Sequence, residues 1–256
     1  MFRDLEDRFK RILDEDWQSQ EQFLDALKHI RYADVEYLRK IGCFFVPNQD
    51  YLEYYIGPRC YNPEYDLYNY NGECKWLGHY VFPIRGAQDD LVALVGFNPL
   101  SKKIMEDNIN SGLPNDAPPK YIVSNKNVFD RSGYLFIPNG YRKMIEDNYV
   151  IVVDGVFDAV TPASMGFNTA CMLGSDVNDK MLFILSMVDR IYVARDNDDA
   201  GLRLYNSIKR FIPRAMPLTQ SKSKDLDGYI REVGVDIAYK SIKSGISSEI
   251  YIPVRL

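Results

Sequence analysis

The chain of 256 residues is long enough for one large or two small domains, is 46% hydrophobic and carries a net charge of −5. No apolar run nears the roughly 20 residues a bilayer-spanning helix needs, and the charged start MFRDLEDRFKRILDED is unlike a secretory signal, so a cytoplasmic protein without a membrane partner is expected. The acidic balance argues against a nucleic-acid binder unless the acids gather where metal ions would neutralise them.

Phe2, Leu5, Phe9, Ile12 and Leu13 recur at helical spacing. Ser19 and Gln22 form a capping box that predicts a second helix, with Phe23, Leu24, Leu27 and Ile30 on its apolar face. Asp34 suits the N-cap of a third helix, DVEYLRKI, stopped by Gly42. Residues 43–80 are rich in tyrosine and interrupted by Gly, Pro and Asn, which predicts short strands and turns. Such aromatics can stack on single-stranded bases, but strand-forming residues on half-buried sheets account for them better. The cysteines Cys43, Cys60, Cys74 and Cys171 contain no CxxC pair and are read as reduced thiols. Cys60, Cys74 and His79 match no zinc ribbon or finger.

YVFPIR and LVALVGF, joined by a polar turn at 86–90, predict a hairpin over residues 80–98, and 99–120 reads as a long loop. From Tyr149 strands alternate with helices. Strands are expected at 149–153, 168–173, 191–194 and 214–218, and helices from 154 to Met165, over 177–187 and over 199–211. Pro162 should kink or shorten the first of these helices. This alternation implies βαβ units and a parallel sheet.

Sites in such sheets form beyond the carboxyl ends of the strands. Asp154 ends the first strand, and Asp158 follows one helical turn later. Asp196 and Asp198 follow the third strand on one side of an extended segment, and Asp227 follows the fourth. Carboxylates gathered at one edge repel one another, and a hard divalent cation such as Mg²⁺ or Mn²⁺ relieves this while bridging to phosphates. The competing reading is that these acids are surface charges and helix caps, and Asp198 suits a cap. Residues 200–224 carry six basic side chains and no acid, either a solvated helix face or a phosphate-contacting rim.

The segments VIVVDGVFDAVTPASMGFNTACMLGS, YVARDNDDAG and KDLDGYIREVG resemble the three signature segments of a Toprim domain, more narrowly that of bacterial DnaG-type primases and their phage relatives. Upstream, VFPIRGAQDDLVALVGF and PPKYIVSNKNVFDRSGYLF resemble primase segments that topoisomerases and Toprim nucleases lack. The resemblance implies an α/β fold, a Toprim-type (Rossmann-like) parallel sheet flanked by helices after a mixed α+β N-terminal subdomain. The organisation expected is a helical segment over 1–42, that subdomain over 43–148, a Toprim domain over 149–234 and a C-terminal tail over 235–256.

Matched by position, Asp154, Asp196 and Asp198 are the implied catalytic acids. Those three with Asp158 and Asp227 are the implied ligands for Mg²⁺ or Mn²⁺. Arg85, Lys120 and Arg131 match basic positions of the template and nucleotide groove, and Lys222 and Lys224 stand in a basic loop beside Asp227. The implied activity is primer synthesis from NTPs on a single-stranded DNA template, by nucleotidyl transfer. A Toprim nuclease and a non-catalytic DNA- or replisome-binding module are the alternatives. The sequence departs from the family's pattern at three places. Asp154 stands where a Glu is usual, GFNPL replaces a Gly-Gly-Arg continuation, and the zinc-binding and helicase-binding parts have no counterpart. A replicative helicase and a separate zinc-binding or helicase-binding subunit are accordingly the expected partners, and a phage or plasmid origin suits so reduced a chain.

Overall fold

The computed structural model describes residues 3–57, 66–69, 71–112, 114, 117–125, 129–130, 133–173, 176–218 and 223–247. The chain divides into two compact units, residues 1–29 with 34–131 and residues 30–33 with 132–256. No helix among the described residues is long and apolar enough to cross a membrane.

The first unit contains α1 (Arg3–Glu15), most of α2 (Trp17–Arg31), α3 (Val35–Lys40), β1 (Phe44–Phe45), α4 (Gln49–Ile56), β2 (Tyr80–Arg85), β3 (Leu91–Phe97), α5 (Ser101–Asn110) and β4 (Tyr121–Val123). Its strands form one antiparallel sheet in the order β1-β2-β3-β4. The α1 stripe of Leu5, Phe9, Ile12 and Leu13 is buried against Phe44, Leu52, Ile56 and Trp76. Asp34 caps α3 by accepting from Tyr37 N at 2.9 Å, and Gly42 follows at φ 81, as the sequence predicts.

Three expectations are corrected in this unit. Ser19 lies inside α2, which starts at Trp17 after a break at Asp16. The tyrosine-rich QDYLEYYI is a helix because Asn48 caps it, accepting from Tyr51 N at 2.8 Å, and because Leu52, Tyr55 and Ile56 share its buried face. The loop expected over 99–120 contains α5.

The second unit contains α6 (Gly140–Glu146), β5 (Tyr149–Val153), α7 (Val156–Ser164), β6 (Thr169–Cys171), α8 (Asp179–Ser186), β7 (Arg190–Val193), α9 (Asp199–Phe211), β8 (Met216–Pro217), α10 (Leu226–Val233) and α11 (Val235–Ser247). Its strands form an all-parallel sheet in the order β6-β5-β7-β8, registered Val153↔Cys171, Val152↔Val193 and Tyr192↔Met216. Successive crossovers thus leave β5 in opposite directions, and the switch point falls between β5 and β7. The near-continuous apolar run of β5 is buried at Val150–Val153 because helices cover both sheet faces. Pro162 is accommodated inside α7, which ends two residues later, before Gly166 at φ 95. Residues 235–247, within the expected C-terminal tail, form α11, which buries Ala238 and Ile242 while Tyr192 donates its hydroxyl to Ile246 O at 2.8 Å.

Gln20 ties the first unit together. Fully buried, it donates to Phe45 O at 3.0 Å and to the Tyr51 hydroxyl at 2.8 Å, and accepts from Phe45 N at 2.7 Å. Gln20→Ala strands buried backbone groups at the sheet edge, so urea unfolding should show a loss of about 2–4 kcal/mol. A loss below about 0.5 kcal/mol, the ordinary scatter of surface changes, would contradict this role.

Candidate active site

Four of the five acids predicted from the sequence, Asp154, Asp158, Asp196 and Asp198, lie just beyond the carboxyl ends of β5 and β7. Asp154 follows β5 directly and is exposed. Asp158 lies in the first turn of α7 and is buried. Gly155 separates them for a steric reason. A Cβ at this position would lie 2.1 Å from Asp158 Oδ2, so any side chain would displace the carboxylate.

Asp196 and Asp198 leave the end of β7. Asp198 caps α9, accepting from Gly201 N at 2.9 Å, which fulfils the capping alternative without removing the residue from the acidic edge. A Cβ on Gly201 would meet Asp196 O at 2.3 Å and Asp196 N at 2.7 Å. The Ala-Gly after the acids thus lets the loop carrying Asp196 lie against the first turn of α9. Asn197 fastens the same loop to the next segment, donating from its backbone to Lys224 O at 2.8 Å and from its side chain to Ser223 O.

The third segment supplies two acids with different surroundings. Asp225 caps α10, accepting from Gly228 N at 2.6 Å. It is the acid whose charge acts most strongly on both Asp158 and Asp196. Asp227, the one expected from the sequence to face the site, is turned inward. Its Oδ2 accepts from Arg31 Nη1 at 2.6 Å and from Arg231 Nε at 3.1 Å. Its backbone N–H donates to Asp158 Oδ1 at 2.7 Å. Sequence reasoning misses Asp225, although Asp225 with Gly228 three residues on repeats the Asp198–Gly201 pattern.

Electrostatics express the crowding. Burial, then the charges of Asp225, Asp227 and Asp196, push Asp158 up to about 7 against the backbone N–H of Asp227. Burial, then Asp225, Asp154 and Asp198, push Asp196 up to about 6, opposed by Lys224. Although Asp154 as a residue is exposed, its carboxyl is partly desolvated, and this with the charge of Asp198 raises it.

The donor set is entirely carboxylate, which suits a hard divalent cation held by one or two acids and by water. Among the described residues, no three His, Cys, Asp or Glu side chains stand close enough to form a ready-made cage. The fit therefore rests on donor chemistry and on an excess of negative charge that Lys224 only partly offsets, with Asp154, Asp158, Asp196, Asp198 and Asp225 as the available acids.

The basic residues are distributed differently. Arg85 pairs with Glu6 at 2.8 Å and donates to Asp89 O at 2.9 Å across the hairpin turn. Burial raises Glu6, but hydrogen bonding and charge from Arg85 outweigh it and lower the carboxyl. Lys120 is exposed beside β4, with its ammonium 5.1 Å from the Tyr121 ring centre. Lys224 is exposed next to the acids, whereas Arg131 and Lys222 lie outside the described residues. In the basic stretch 200–224, Arg214 donates to the carbonyls of Ser186, Val188 and Asp189, and Lys209 to Ala215 O. Arg214 thus closes the end of α8, and Lys209 is tied to the turn before β8. Cys74 and His79 are buried, and both His79 ring nitrogens face carbonyls, Leu77 O at 2.8 Å and Pro119 O at 3.3 Å. Cys60 lies outside the described residues.

The pH dependence of stability follows from the raised acids. An acid whose folded pKa lies above the unfolded value near 3.8 contributes stability that is complete below 3.8 and lost as pH rises through the folded value. For Asp196 and Asp158 that loss runs to about 6 and about 7. The contribution of these two acids to the metal-free protein should therefore fall from pH 5 to pH 8. The Tm gain of Asp158→Asn over wild type should grow by about 5 °C across that range. A gain independent of pH would remove the electrostatic account.

Comparison with known proteins agrees with this geometry. Residues 151–230 match the family model described as Toprim-like. No curated protein matches by sequence. Among solved structures, the chain resembles the Aquifex aeolicus primase (zinc-binding and RNA polymerase domains) with TM-score 0.65 and 20% identity over 93% of this chain and 61% of that one. It resembles the RNA polymerase domain of Mycobacterium tuberculosis primase DnaG with TM-score 0.67 and 15% identity, covering 94% and 83% of the two chains. A DnaG primase catalytic domain bound to ssDNA gives TM-score 0.62 and 17% identity over 93% and 81%. The chain thus spans 61% of the A. aeolicus structure. Residues 151–230 form a Toprim-type domain, and the chain has the fold of DnaG-type primase catalytic cores.

Proposed function

We propose that the chain is a primase catalytic core that joins ribonucleotides into short RNA primers on single-stranded DNA. The observation that carries this reading is the gathering of Asp154, Asp158, Asp196, Asp198 and Asp225 at the β5/β7 switch point, with Lys224 as their counter-charge. A bound Mg²⁺ or Mn²⁺ would supply charge neutralisation for a triphosphate and a more acidic attacking hydroxyl. Asp154, Asp196 and Asp198 are the residues that would hold it, with Asp158 and Asp225 behind them. The reaction is attack of a primer 3′-hydroxyl on an α-phosphate, with pyrophosphate leaving.

The protein's own part is to fix these acids on a rigid edge. Gly155 and Gly201 permit the close approaches that place them, and Asn197 holds the Asp196 loop. Lys224, with Lys120, Arg131 and Lys222 as further candidates, would offset phosphate charge on the nucleotide or template. Arg85 is a weaker candidate for this duty because Glu6 already engages it.

Likeness to primase cores over 93–94% of the chain, well beyond the Toprim-like segment, favours a primase over a Toprim nuclease. The similar DnaG catalytic domain bound to ssDNA supports a single-stranded template. A replicative helicase would be a natural partner, in the cytoplasm.

The test is incubation with single-stranded DNA, labelled NTPs and Mn²⁺. New oligoribonucleotides are expected, and shortened DNA would indicate a nuclease instead. Asp196→Asn and Asp198→Asn should each lower synthesis at least about 100-fold while melting at or above the wild-type temperature, since Asn also caps helices and removes repulsion. Full synthesis by both variants would sink the assignment. Asp154→Glu should retain or raise synthesis if the acid serves as an ordinary ligand of such a site. Complete loss would mean that the edge is built around the shorter side chain.

A further inference from the structure

Asp227 is the most heavily engaged acid of the edge, and its principal partner comes from far away in sequence. Arg31, the last residue of α2, donates from Nη1 to Asp227 Oδ2 at 2.6 Å, with side chains 14% and 3% exposed. The guanidinium lies 4.9 Å from the ring centre of Phe157, the residue before Asp158. The Thr161 hydroxyl stands 3.0 Å from Arg31 O and 3.2 Å from Asp227 Oδ1, so its one proton can be donated to either oxygen. Asp227 in turn donates its backbone N–H to Asp158 Oδ1. Arg231 also reaches Asp227 Oδ2, but from the same helix and with 42% of its side chain exposed.

Resting on the cation site proposed above, we infer that Arg31 is a positioning residue of that site. It acts through Asp227, fixes the start of α10, and so holds Asp158 and Asp225 in place without touching cation or phosphate. Three features favour this reading. The Arg31–Asp227 contact is nearly dry, where pairing is least screened. A guanidinium can pair and stack on an aromatic face at once, which an ammonium does less well. Removing Arg31 would also leave a buried carboxylate one hydrogen bond from Asp158 without its principal counter-charge.

The inference is tested by Mn²⁺ binding to the full chain, read by electron paramagnetic resonance of the free ion, with thermal melting of each variant alongside. Arg31→Ala should weaken Mn²⁺ binding about 10–100-fold, the range seen when outer partners of metal ligands are removed. Arg31→Lys should recover part of the loss. The deciding variant is Arg31→Ala combined with Asp227→Asn, in which the buried charge and its partner are both gone. It should bind Mn²⁺ as tightly as Asp227→Asn alone, and this comparison stands even if Arg31→Ala by itself fails to fold. Equal affinity of Arg31→Ala and wild type overturns the proposal. So does a double variant weaker than Asp227→Asn, since Arg31 would then act on the ligand directly. A wild-type chain that binds no Mn²⁺ overturns the cation site itself, and that failure is visible before any variant is compared.

Discussion

Mutual repulsion of carboxylates at the carboxyl edge of a parallel sheet is the constraint around which the second unit is arranged. The sheet order β6-β5-β7-β8 places the ends of β5 and β7 side by side. The loops leaving those ends carry Asp154, Asp196 and Asp198, and α10 adds Asp225 beside them. A fold stabilised only by its apolar interior would gain nothing from this edge. The apolar strands Val150–Val153 and Ile191–Val193 are buried, and that burial anchors the loops that carry the acids despite their charge.

The glycines and caps around the acids serve the same end. Gly155 and Gly201 sit where a methyl group would collide with Asp158 or with the backbone of Asp196. Asp198 and Asp225 each satisfy the first turn of the helix that follows them. Capping a helix and standing among the clustered acids are therefore compatible at one residue.

Much of this was legible in the sequence because periodicity and end signals agree. The strand–helix alternation after Tyr149 places β5, β7 and α9 within a residue or so of their observed limits. What was not legible depends on tertiary partners. QDYLEYYI has the composition of a strand, and its helix follows from the Asn48 cap and from burial of Leu52, Tyr55 and Ile56. The helix over Ser101–Asn110 has no side-chain cap and few buried residues, so its polar sequence reads as loop. That Asp227 turns inward to Arg31, 196 positions away in the chain, while Asp225 caps α10, could not be foreseen from the sequence. Arg85 matches a groove position in the sequence, yet its guanidinium is held by Glu6.

Crystals grown with Mn²⁺ and measured at its absorption edge test the central claim most directly. The account predicts anomalous density at the carboxyl ends of β5 and β7, within ligand distance of at least one of Asp154, Asp196 and Asp198. Density confined to other surface acids, or absent from this edge at saturating Mn²⁺, would contradict it.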